Sequence, residues 1–406
     1  MSRLTPGQRV HARARRRPAH PRVPSGWLQV VALPGVPTLV SGSVAGRVAY
    51  GMLPVAAYLA LLDATGSVRD AAVLTAAEGL VGALTFPRKG RLVDRYGRRV
   101  LLVLAAVTLV AIVAATGPGA LVGAMLLLVG ALAPPVTSTV RATWGSLLMG
   151  REDLRETGFR LDAGLEEASF LGAPALGGAV AAAAGPHLAL VLVGLLLVMA
   201  ALLLGTVSPG AGSTVRRGRL TRGTHLVGVL LALGALGQGL VGATIALAAQ
   251  RLHSATLYGV LLSLDGVGAF VGLALLAALT RGLTTGRRLG ALWTATPLLM
   301  LPLAFSGGPV ALLVTVTAVG LPVGAMIATL NATVPVLEPP NRWNEAYSWL
   351  VTCQNLAGAV GFAVGGALGA GWVQGGPALL AAAVTGLGFA VAGPALTRRL
   401  GRVGQS

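Results

Sequence analysis

The decapeptide GRLVDRYGRR, residues 90–99, holds five charged residues between two apolar segments, residues 71–87 and 100–116. The whole chain of 406 residues is 54% hydrophobic and only 11% charged, whereas about a quarter of the residues in a soluble domain are charged. So little polar surface cannot cover a water-facing globule, which predicts an integral membrane protein. The apolar segments are rich in Leu, Ala and Gly and do not alternate with polar residues. We therefore predict an all-α protein with spanning helices and not a barrel.

A spanning helix needs about 20 mostly apolar residues, and short breaks rich in Gly, Pro or polar residues separate twelve such segments. The predicted spans are residues 37–62, 70–88, 99–116, 119–140, 161–184, 187–207, 224–247, 256–280, 289–306, 308–335, 344–372 and 376–396. They divide the chain into five regions: a tail (1–35), a six-helix bundle (36–207), a linker (208–223), a second six-helix bundle (224–397) and a tail (398–406).

The basic residues fall on one side of this arrangement. Of 31 Lys and Arg residues, 28 lie in the tails and in the loops of that side; Arg69 and Arg251 lie on the other side, and Arg47 lies inside span 1. This positive-inside pattern predicts a multi-pass protein of the inner (plasma) membrane with both termini in the cytoplasm. It also explains the net charge of +18 without a nucleic-acid partner. All but one of the basic residues are Arg, a bias typical of a bacterium with a GC-rich genome.

The two predicted bundles repeat a short pattern. Matching Gly177 of span 5 to Gly365 of span 11 fixes one register between the bundles. The same register aligns the acidic pair of span 5, Glu166 and Glu167, with the amide pair of span 11, Gln354 and Asn355. Internal duplication is typical of transporters whose two bundles rock about a site at the membrane midplane. We therefore expect pseudo-symmetric halves.

The loop after span 2 has the spacing G-x-x-x-D-R-x-G-R-R and resembles the loop signature of the major facilitator superfamily, a large family of secondary transporters. A positive-inside anchor alone would explain the arginines but not the acidic residue or the spaced glycines. The matching residues are Gly90, Asp94, Arg95, Gly97, Arg98 and Arg99. The resemblance implies alternating access around a central cavity that takes a small-molecule substrate.

In that family the equivalent aspartate docks near the start of span 11 when the cytoplasmic side is closed. The resemblance therefore implies a conformational latch in which Asp94 meets the region around Asn344 and Glu345. The three arginines Arg95, Arg98 and Arg99 are then expected to pair with Glu345 or with phospholipid. The sibling loop between spans 8 and 9 has no aspartate, so we predict one latch and not two.

Span 5 resembles the signature of the family's drug:proton antiporters, G-P-x-x-G-G, through Pro174, Gly177 and Gly178, with Ala173 in place of the first glycine. This implies export, and the proline predicts a kink in the helix. Ordinary packing of small residues between helices is the alternative. The family's exporters often carry an arginine in the middle of span 4; here the only arginine, Arg141, lies at the predicted cytoplasmic end.

Five ionisable residues fall inside the predicted spans, where each costs roughly 2.5–3.5 kcal/mol at the bilayer centre unless it is paired, neutral or hydrated. They are Arg47, Glu78, Glu166, Glu167 and Asp265. Similar depth predicts an ion pair between Arg47 and one of the two adjacent glutamates, while the other faces a cavity. The carboxyls of spans 2 and 8 are further candidates for carrying a proton, or they bond to a neighbouring helix. Cavity candidates, with interhelical hydrogen bonding as the alternative, are Gln238, Asn331, Gln354 and Asn355.

The sequence has no phosphate-binding loop, no metal-ligand spacing and no recognisable catalytic triad. We therefore predict a protein that is not an enzyme, has no cofactor or metal, and acts as a monomer. The leading hypothesis is proton-coupled export of a small amphiphilic compound, a drug or secondary metabolite. Uptake of a metabolite by proton symport is one alternative. A transporter-like sensor or scaffold that moves nothing is another.

Overall fold

The computed structural model describes residues 26–117, 119–207, 219–251, 255–279, 283–369 and 376–403, which form fifteen α-helices, two 3₁₀ segments and no strand. The helices are α1 (Gly26–Val31), α2 (Val36–Thr65), α3 (Val68–Tyr96), α4 (Arg99–Ala114), α5 (Gly119–Leu132), α6 (Val136–Leu147), α7 (Glu152–Ala184), α8 (Pro186–Thr206), α9 (Arg222–Arg251), α10 (Ala255–Leu279), α11 (Thr285–Met300), α12 (Pro309–Asn331), α13 (Val334–Leu337), α14 (Trp343–Gly369) and α15 (Gly376–Val403). The 3₁₀ segments are Leu301–Phe305 and Pro340–Arg342.

Each predicted span coincides with a helix or with two consecutive helical pieces. Span 4 consists of α5 and α6, span 9 consists of α11 and a 3₁₀ segment, and span 10 consists of α12 and α13. By length and composition alone, eight helical segments among the described residues can cross a membrane, and three further apolar helices are shorter. Helix α3 is in neither group because it carries charges near both ends. The all-α prediction is confirmed for the described part of the chain.

The break in span 4 follows from two adjacent prolines. Pro134 and Pro135 have no backbone N–H, so carbonyl groups one turn earlier lose their helical partners. The ammonium group of Lys89 donates to one of these, the carbonyl of Gly130, at 3.1 Å, and the hydroxyl of Tyr50 donates to the carbonyl of Pro134. Helix α6 then begins at Val136 and continues past the predicted end of the span at residue 140, as far as Leu147.

Several helices extend beyond the predicted spans. Helix α3 continues past the predicted end at residue 88 and stops at Gly97, whose φ of 78° is the left-handed conformation that glycine tolerates. Helix α7 begins before its predicted span, at Glu152. Helix α1 lies in the predicted N-terminal tail, α9 begins inside the predicted linker, and α15 reaches into the predicted C-terminal tail. The boundaries drawn from hydropathy are therefore too short.

The two bundles repeat a helix contact in the predicted register. A Cβ added to Gly177 of α7 would lie 3.2 Å from the Cα of Met52 in α2, and a Cβ added to Gly365 of α14 would lie 3.4 Å from the Cα of Leu240 in α9. The register that matches Gly177 to Gly365 also matches Met52 to Leu240. Pseudo-symmetry is therefore visible in atomic contacts.

A second repeated contact supports the same register. It joins Gly51 to Ala173 in the first bundle and Gly239 to Gly361 in the second. Gly51 corresponds to Gly239, and Ala173 corresponds to Gly361. Two independent contacts between the first helix and the fifth helix of each bundle thus agree on one alignment of the halves.

The bundles meet through α3 and α6 against α14, and through α7 against α10 and α12. The polar contacts between them lie in one half of the molecule, which we call the Asp94 end; the other half is the opposite end. At the Asp94 end, Ala163 of α7 packs with Leu273 of α10 and Ala328 of α12 in a small buried cluster. Farther along α7, a Cβ added to Gly172 or Gly178 would meet nothing within 4 Å. The bundles are joined at the Asp94 end.

Candidate functional site

Asp94 caps the first turn of α14 across the bundle interface. Its Oδ1 accepts the backbone N–H of Asn344 at 3.2 Å and the side-chain amide of Asn344 at 2.8 Å. Its Oδ2 accepts the backbone N–H of Glu345 at 2.8 Å. The unpaired N–H groups and the positive end of the helix dipole favour a carboxylate at this position. The structure thus places Asp94 against the two residues named from the sequence, while its role as a latch stays a prediction.

The basic partner of Glu345 differs from the sequence prediction. Arg91, which sequence reasoning missed, donates from Nη2 to Oε1 of Glu345 at 2.7 Å. Arg98 instead turns into its own bundle, where it donates to the carbonyls of Leu204 and Val207 and to the hydroxyl of Thr143.

The other two arginines point elsewhere as well. Arg95 lies over the ring of Tyr96, 5.0 Å from its centroid, and Arg99 is exposed at the first residue of α4. The prediction of a pairing between Arg95, Arg98 or Arg99 and Glu345 is not what the structure shows. Arg91 reaches Glu345 because it precedes Asp94 by three residues in α3 and therefore lies on the same face of that helix.

The residues of the interface come close enough to require a glycine. A Cβ on Gly90 would overlap the hydroxyl of Ser348 and lie 2.5 Å from the carbonyl oxygen of Asn344. Deeper in the interface, the hydroxyl of Ser348 donates to Ser138 at 2.8 Å, and that of Thr352 donates to the carbonyl of Ala83 at 2.7 Å. We call this group of contacts, with Asp94 and Arg91 at its outer edge, the clasp.

A second ion pair joins the bundles at the Asp94 end. Arg288 of α11 contacts the carboxylate of Glu156 in α7. Arg288 belongs to the sibling loop region in which the sequence predicted no second latch. The aspartate is missing there, but an ion pair joins the bundles nonetheless. Its basic residue is in the C-terminal bundle and its acidic residue is in the N-terminal bundle, the reverse of the pair between Arg91 and Glu345.

Four charged residues form a buried network inside the N-terminal bundle. Arg47 of α2 lies 2.8 Å from Asp162 and 3.9 Å from Glu166, both of α7. Arg141 of α6 contacts Glu166 directly and lies 3.5 Å from Asp162. Trp144 donates its indole N–H to Asp162 at 3.1 Å. The exposed fraction of the side chain is 2% for Arg47, Arg141 and Asp162 and 19% for Glu166. Two cations and two anions thus neutralise one another away from solvent.

This network confirms the predicted pairing of Arg47 with one of the two adjacent glutamates, since Glu166 lies within 3.9 Å, but it corrects the sequence prediction in two respects. The nearest acidic partner of Arg47 is Asp162, which sequence reasoning missed because it lies at the very start of the predicted span. The sequence places Arg141 at the cytoplasmic end of span 4, but α6 continues to Leu147 and this guanidinium is buried against α7. An arginine of span 4 therefore takes part in the buried network.

The remaining intramembrane carboxyls have weaker partners. Asp265 of α10 accepts a hydrogen bond from Nε2 of Gln238 in α9 at 3.4 Å, as the neighbouring-helix alternative predicted. Glu167 faces α10 and interacts electrostatically with Asp265, Glu166 and Arg47. Glu78 is buried near the broken part of span 4 and interacts electrostatically with Lys89. This lysine is itself buried, although the sequence predicts only a loop charge there.

A cavity of about 490 Å³ lies between α9, α10, α12 and α14 of the C-terminal bundle. Three amide side chains line it, those of Gln238, Gln354 and Asn355, among aliphatic residues and Phe362. The fourth candidate, Asn331, does not line this cavity. It is buried at the end of α12, where its backbone carbonyl accepts the hydroxyl of Tyr347 at 3.1 Å, so it belongs to the packing of the Asp94 end.

The small residues of span 5 pack between helices. Pro174 stands inside α7, which is one helix from Glu152 to Ala184. Gly177 contacts α2 at Met52, whereas nothing lies within 4 Å of a Cβ at Gly178. These contacts agree with the packing alternative, and the direction of transport stays a prediction.

No protein-family model and no curated protein matches this chain. The human organic anion transporter MFSD10 is similar in structure, with 18% identity, a TM-score of 0.70 and coverage of 90% of this chain and 99% of that chain. A bacterial homologue of the iron transporter ferroportin in an outward-facing state has 17% identity, a TM-score of 0.71 and coverage of 89% and 98%. The E. coli fucose:proton symporter FucP has 16% identity, a TM-score of 0.67 and coverage of 88% and 97%. These likenesses show the fold alone, which this chain shares with the three transporters.

Proposed function

We propose that this protein is a secondary active transporter of the major facilitator superfamily and moves a small molecule by alternating access. The clasp is the observation that carries the proposal. It joins the bundles through hydrogen bonds, each worth about 1–3 kcal/mol, and one ion pair, beside apolar contacts between the bundles such as that of Phe159 with Tyr347. Contacts of this strength can break and re-form during a transport cycle, and the polar groups are rehydrated when they part.

The positive-inside pattern supports a cytoplasmic location for the Asp94 end. The structure then corresponds to a conformation closed toward the cytoplasm, and the similar ferroportin homologue is in an outward-facing state. Both termini lie in the cytoplasm in this proposal, and the chain acts as a monomer in the inner membrane.

We further propose that transport is export of a small amphiphilic compound in exchange for protons. The signature around Pro174 supports export, and Glu167 and Asp265 supply carboxyl groups at the interface between α7 and α10 that can exchange a proton when the bundles move. Neither residue has an ion-pair contact among those of the described chain. Both are therefore better placed to change protonation state than Asp162 or Glu166, which are held by two arginines.

The test compares cells that express the protein with cells that lack it, over a broad panel of toxic compounds. Expression should raise tolerance to at least one compound, and Asp94→Asn should remove that gain. Asp63→Asn is the matched control, because it makes the same change at an exposed carboxylate of the opposite end. Inverted vesicles should release protons when the compound is added. No response to any compound would contradict transport and favour a sensor or scaffold.

Uptake by proton symport is the second candidate, since a fucose:proton symporter is among the similar folds. The same compound panel separates the two. Addition of a symported metabolite to intact cells makes the outside medium alkaline, and expression then raises sensitivity to toxic analogues of that metabolite instead of tolerance.

A further inference from the structure

The two pseudo-symmetric bundles differ at the positions that surround the centre of the molecule. In the register that matches Gly177 to Gly365, Arg47 corresponds to Ala235, and the acidic pair of α7 corresponds to Gln354 and Asn355. In the N-terminal bundle these positions hold charges: Arg47 of α2 and Glu166 of α7 face each other, and Glu167 faces α10. In the C-terminal bundle all three equivalents line the cavity.

The cavity therefore exists where the C-terminal bundle has an alanine in place of an arginine and amides in place of carboxylates. The fold itself tolerates charges at these positions, because the N-terminal bundle contains them. Their absence from the second bundle leaves a wall of uncharged groups, and none of the lining residues, all of them in the described chain, carries a charge.

The carboxylate of Asp265 lies behind an amide of the wall. Gln238 lines the cavity and donates its Nε2 to Asp265, which is not among the lining residues. A carboxylate can only accept hydrogen bonds, so this amide hydrogen is already committed to Asp265. The polar groups that remain for a ligand are the amides of Gln354 and Asn355, each of which has both donors and an acceptor, and the amide oxygen of Gln238, which has no hydrogen-bond partner among the described residues.

An ion that enters a site without a counter-charge loses its hydration and gains no compensating pair. A neutral polar group can instead exchange water for hydrogen bonds to the two amides, while aliphatic side chains and Phe362 cover its apolar part. We propose that the C-terminal bundle holds the substrate site and that this site selects uncharged amphiphiles with neutral hydrogen-bonding groups, and excludes organic cations and anions. This inference rests on the proposed transport function.

The test uses three fluorescent probes that share one dansyl group: dansylamide, which is neutral, dansyl-ethylenediamine, a cation, and dansylglycine, an anion. Their fluorescence is titrated with the intact purified protein in lipid nanodiscs at pH 7. The expected result is that dansylamide binds at least about tenfold more tightly than either charged probe, a difference of about 1.4 kcal/mol. Equal or tighter binding of a charged probe would overturn the inference.

Two variants locate the site. Ala235→Leu fills the cavity and should weaken dansylamide binding about tenfold or more, whereas Ala106→Leu, the same change at an exposed position of α4, should leave it unchanged. Asn355→Asp adds a carboxylate to the wall and should turn the preference toward the cationic probe, which a misfolded protein could not do. Unchanged dansylamide binding in Ala235→Leu, or an unchanged preference in Asn355→Asp, would contradict the proposed site.

Binding is measured here without transport, so the two proposals fail separately. A protein that binds dansylamide as described but moves no compound across vesicles would contradict the transport function and leave the site intact. A protein that transports charged compounds and does not bind dansylamide would contradict the substrate class alone.

Discussion

At the scale of single residues, we expect closure of the clasp to depend most on Asp94, because this carboxylate accepts three hydrogen bonds across the interface. Asparagine at this position keeps one acceptor oxygen but loses the charge that favours the first turn of α14. Hydrogen bonds to charged groups are worth about 1.5–3 kcal/mol, so Asp94→Asn should open the Asp94 end about tenfold more often.

Thiol labelling can measure this opening. In a protein with Cys353→Ser, a cysteine placed at the buried Ser348 should react about tenfold faster with a water-soluble maleimide when Asp94 is replaced by asparagine. Asp63→Asn serves as control and should leave the rate unchanged. Equal labelling rates in the parent and in Asp94→Asn would show that this carboxylate does not hold the bundles together.

The buried network leads to a second residue-scale prediction. Removing one charge from a buried ion pair costs about 3–5 kcal/mol because the partner charge is left uncompensated. Asp162 contacts Arg47, Arg141 and Trp144, while Glu166 is more exposed and contacts only the two arginines. Asp162→Asn should therefore lower the midpoint of thermal unfolding in detergent more than Glu166→Gln does. A larger effect of Glu166→Gln would mean that the network is organised around the glutamate.

The sequence shows which charged residues matter more reliably than it shows which residues they contact. Asp94 is matched to Asn344 and Glu345 because the resemblance to a family implies that its aspartate docks near the start of span 11. The prediction for Arg47 rests on depth along the spans, which finds Glu166 but misses Asp162 near a predicted boundary. The burial of Arg141 is not predicted because hydropathy ends span 4 at residue 140, whereas α6 continues to Leu147.

At the scale of helices, close packing between α9 and α14 depends on individual glycines. A Cβ on Gly361 would overlap the carbonyl oxygen of Leu236, whereas nothing lies within 4 Å of a Cβ on Gly366. Gly361→Ala should destabilise the C-terminal bundle by about 1–3 kcal/mol through overpacking. Gly366→Ala should be neutral or stabilise it by up to about 1 kcal/mol, because alanine favours the helix.

Thermal unfolding of the two variants in the same detergent provides the measurement. Identical midpoints for Gly361→Ala and Gly366→Ala would contradict the close approach of α14 to α9. The comparison is well matched because both glycines stand in one helix and differ chiefly in what faces them.

The sequence predicts the presence of the helices better than it predicts their ends or the contacts between side chains. Every predicted span holds a helix because about 20 apolar residues can satisfy their backbone in a bilayer only in that way. The ends are less well predicted, since helices such as α3 and α7 continue into water with charged residues that hydropathy excludes. The short helix α13 and the 3₁₀ segments carry no periodic pattern long enough to detect.

At the scale of the whole molecule, the pseudo-symmetry inferred from matched glycines and polar pairs is confirmed by the repeated contacts of Gly177 with Met52 and of Gly365 with Leu240. The sequence predicts the asymmetry in charge at the centre, because it aligns Glu166 and Glu167 with Gln354 and Asn355, but it does not predict where the cavity lies. A cavity depends on which side chains are small at positions that come together only after folding.

In the proposed transport cycle the two ends of the molecule open and close in opposition, with Asp94 holding one of them shut. Distances between spin labels test it most directly, with one pair at exposed positions of the Asp94 end, Arg95 and Pro339, and one at the opposite end, Asp63 and Arg251. In Asp94→Asn, a fraction of molecules should show a longer distance for the first pair, and the same fraction should show a shorter distance for the second. Unchanged distances, or lengthening of both pairs together, would contradict the account.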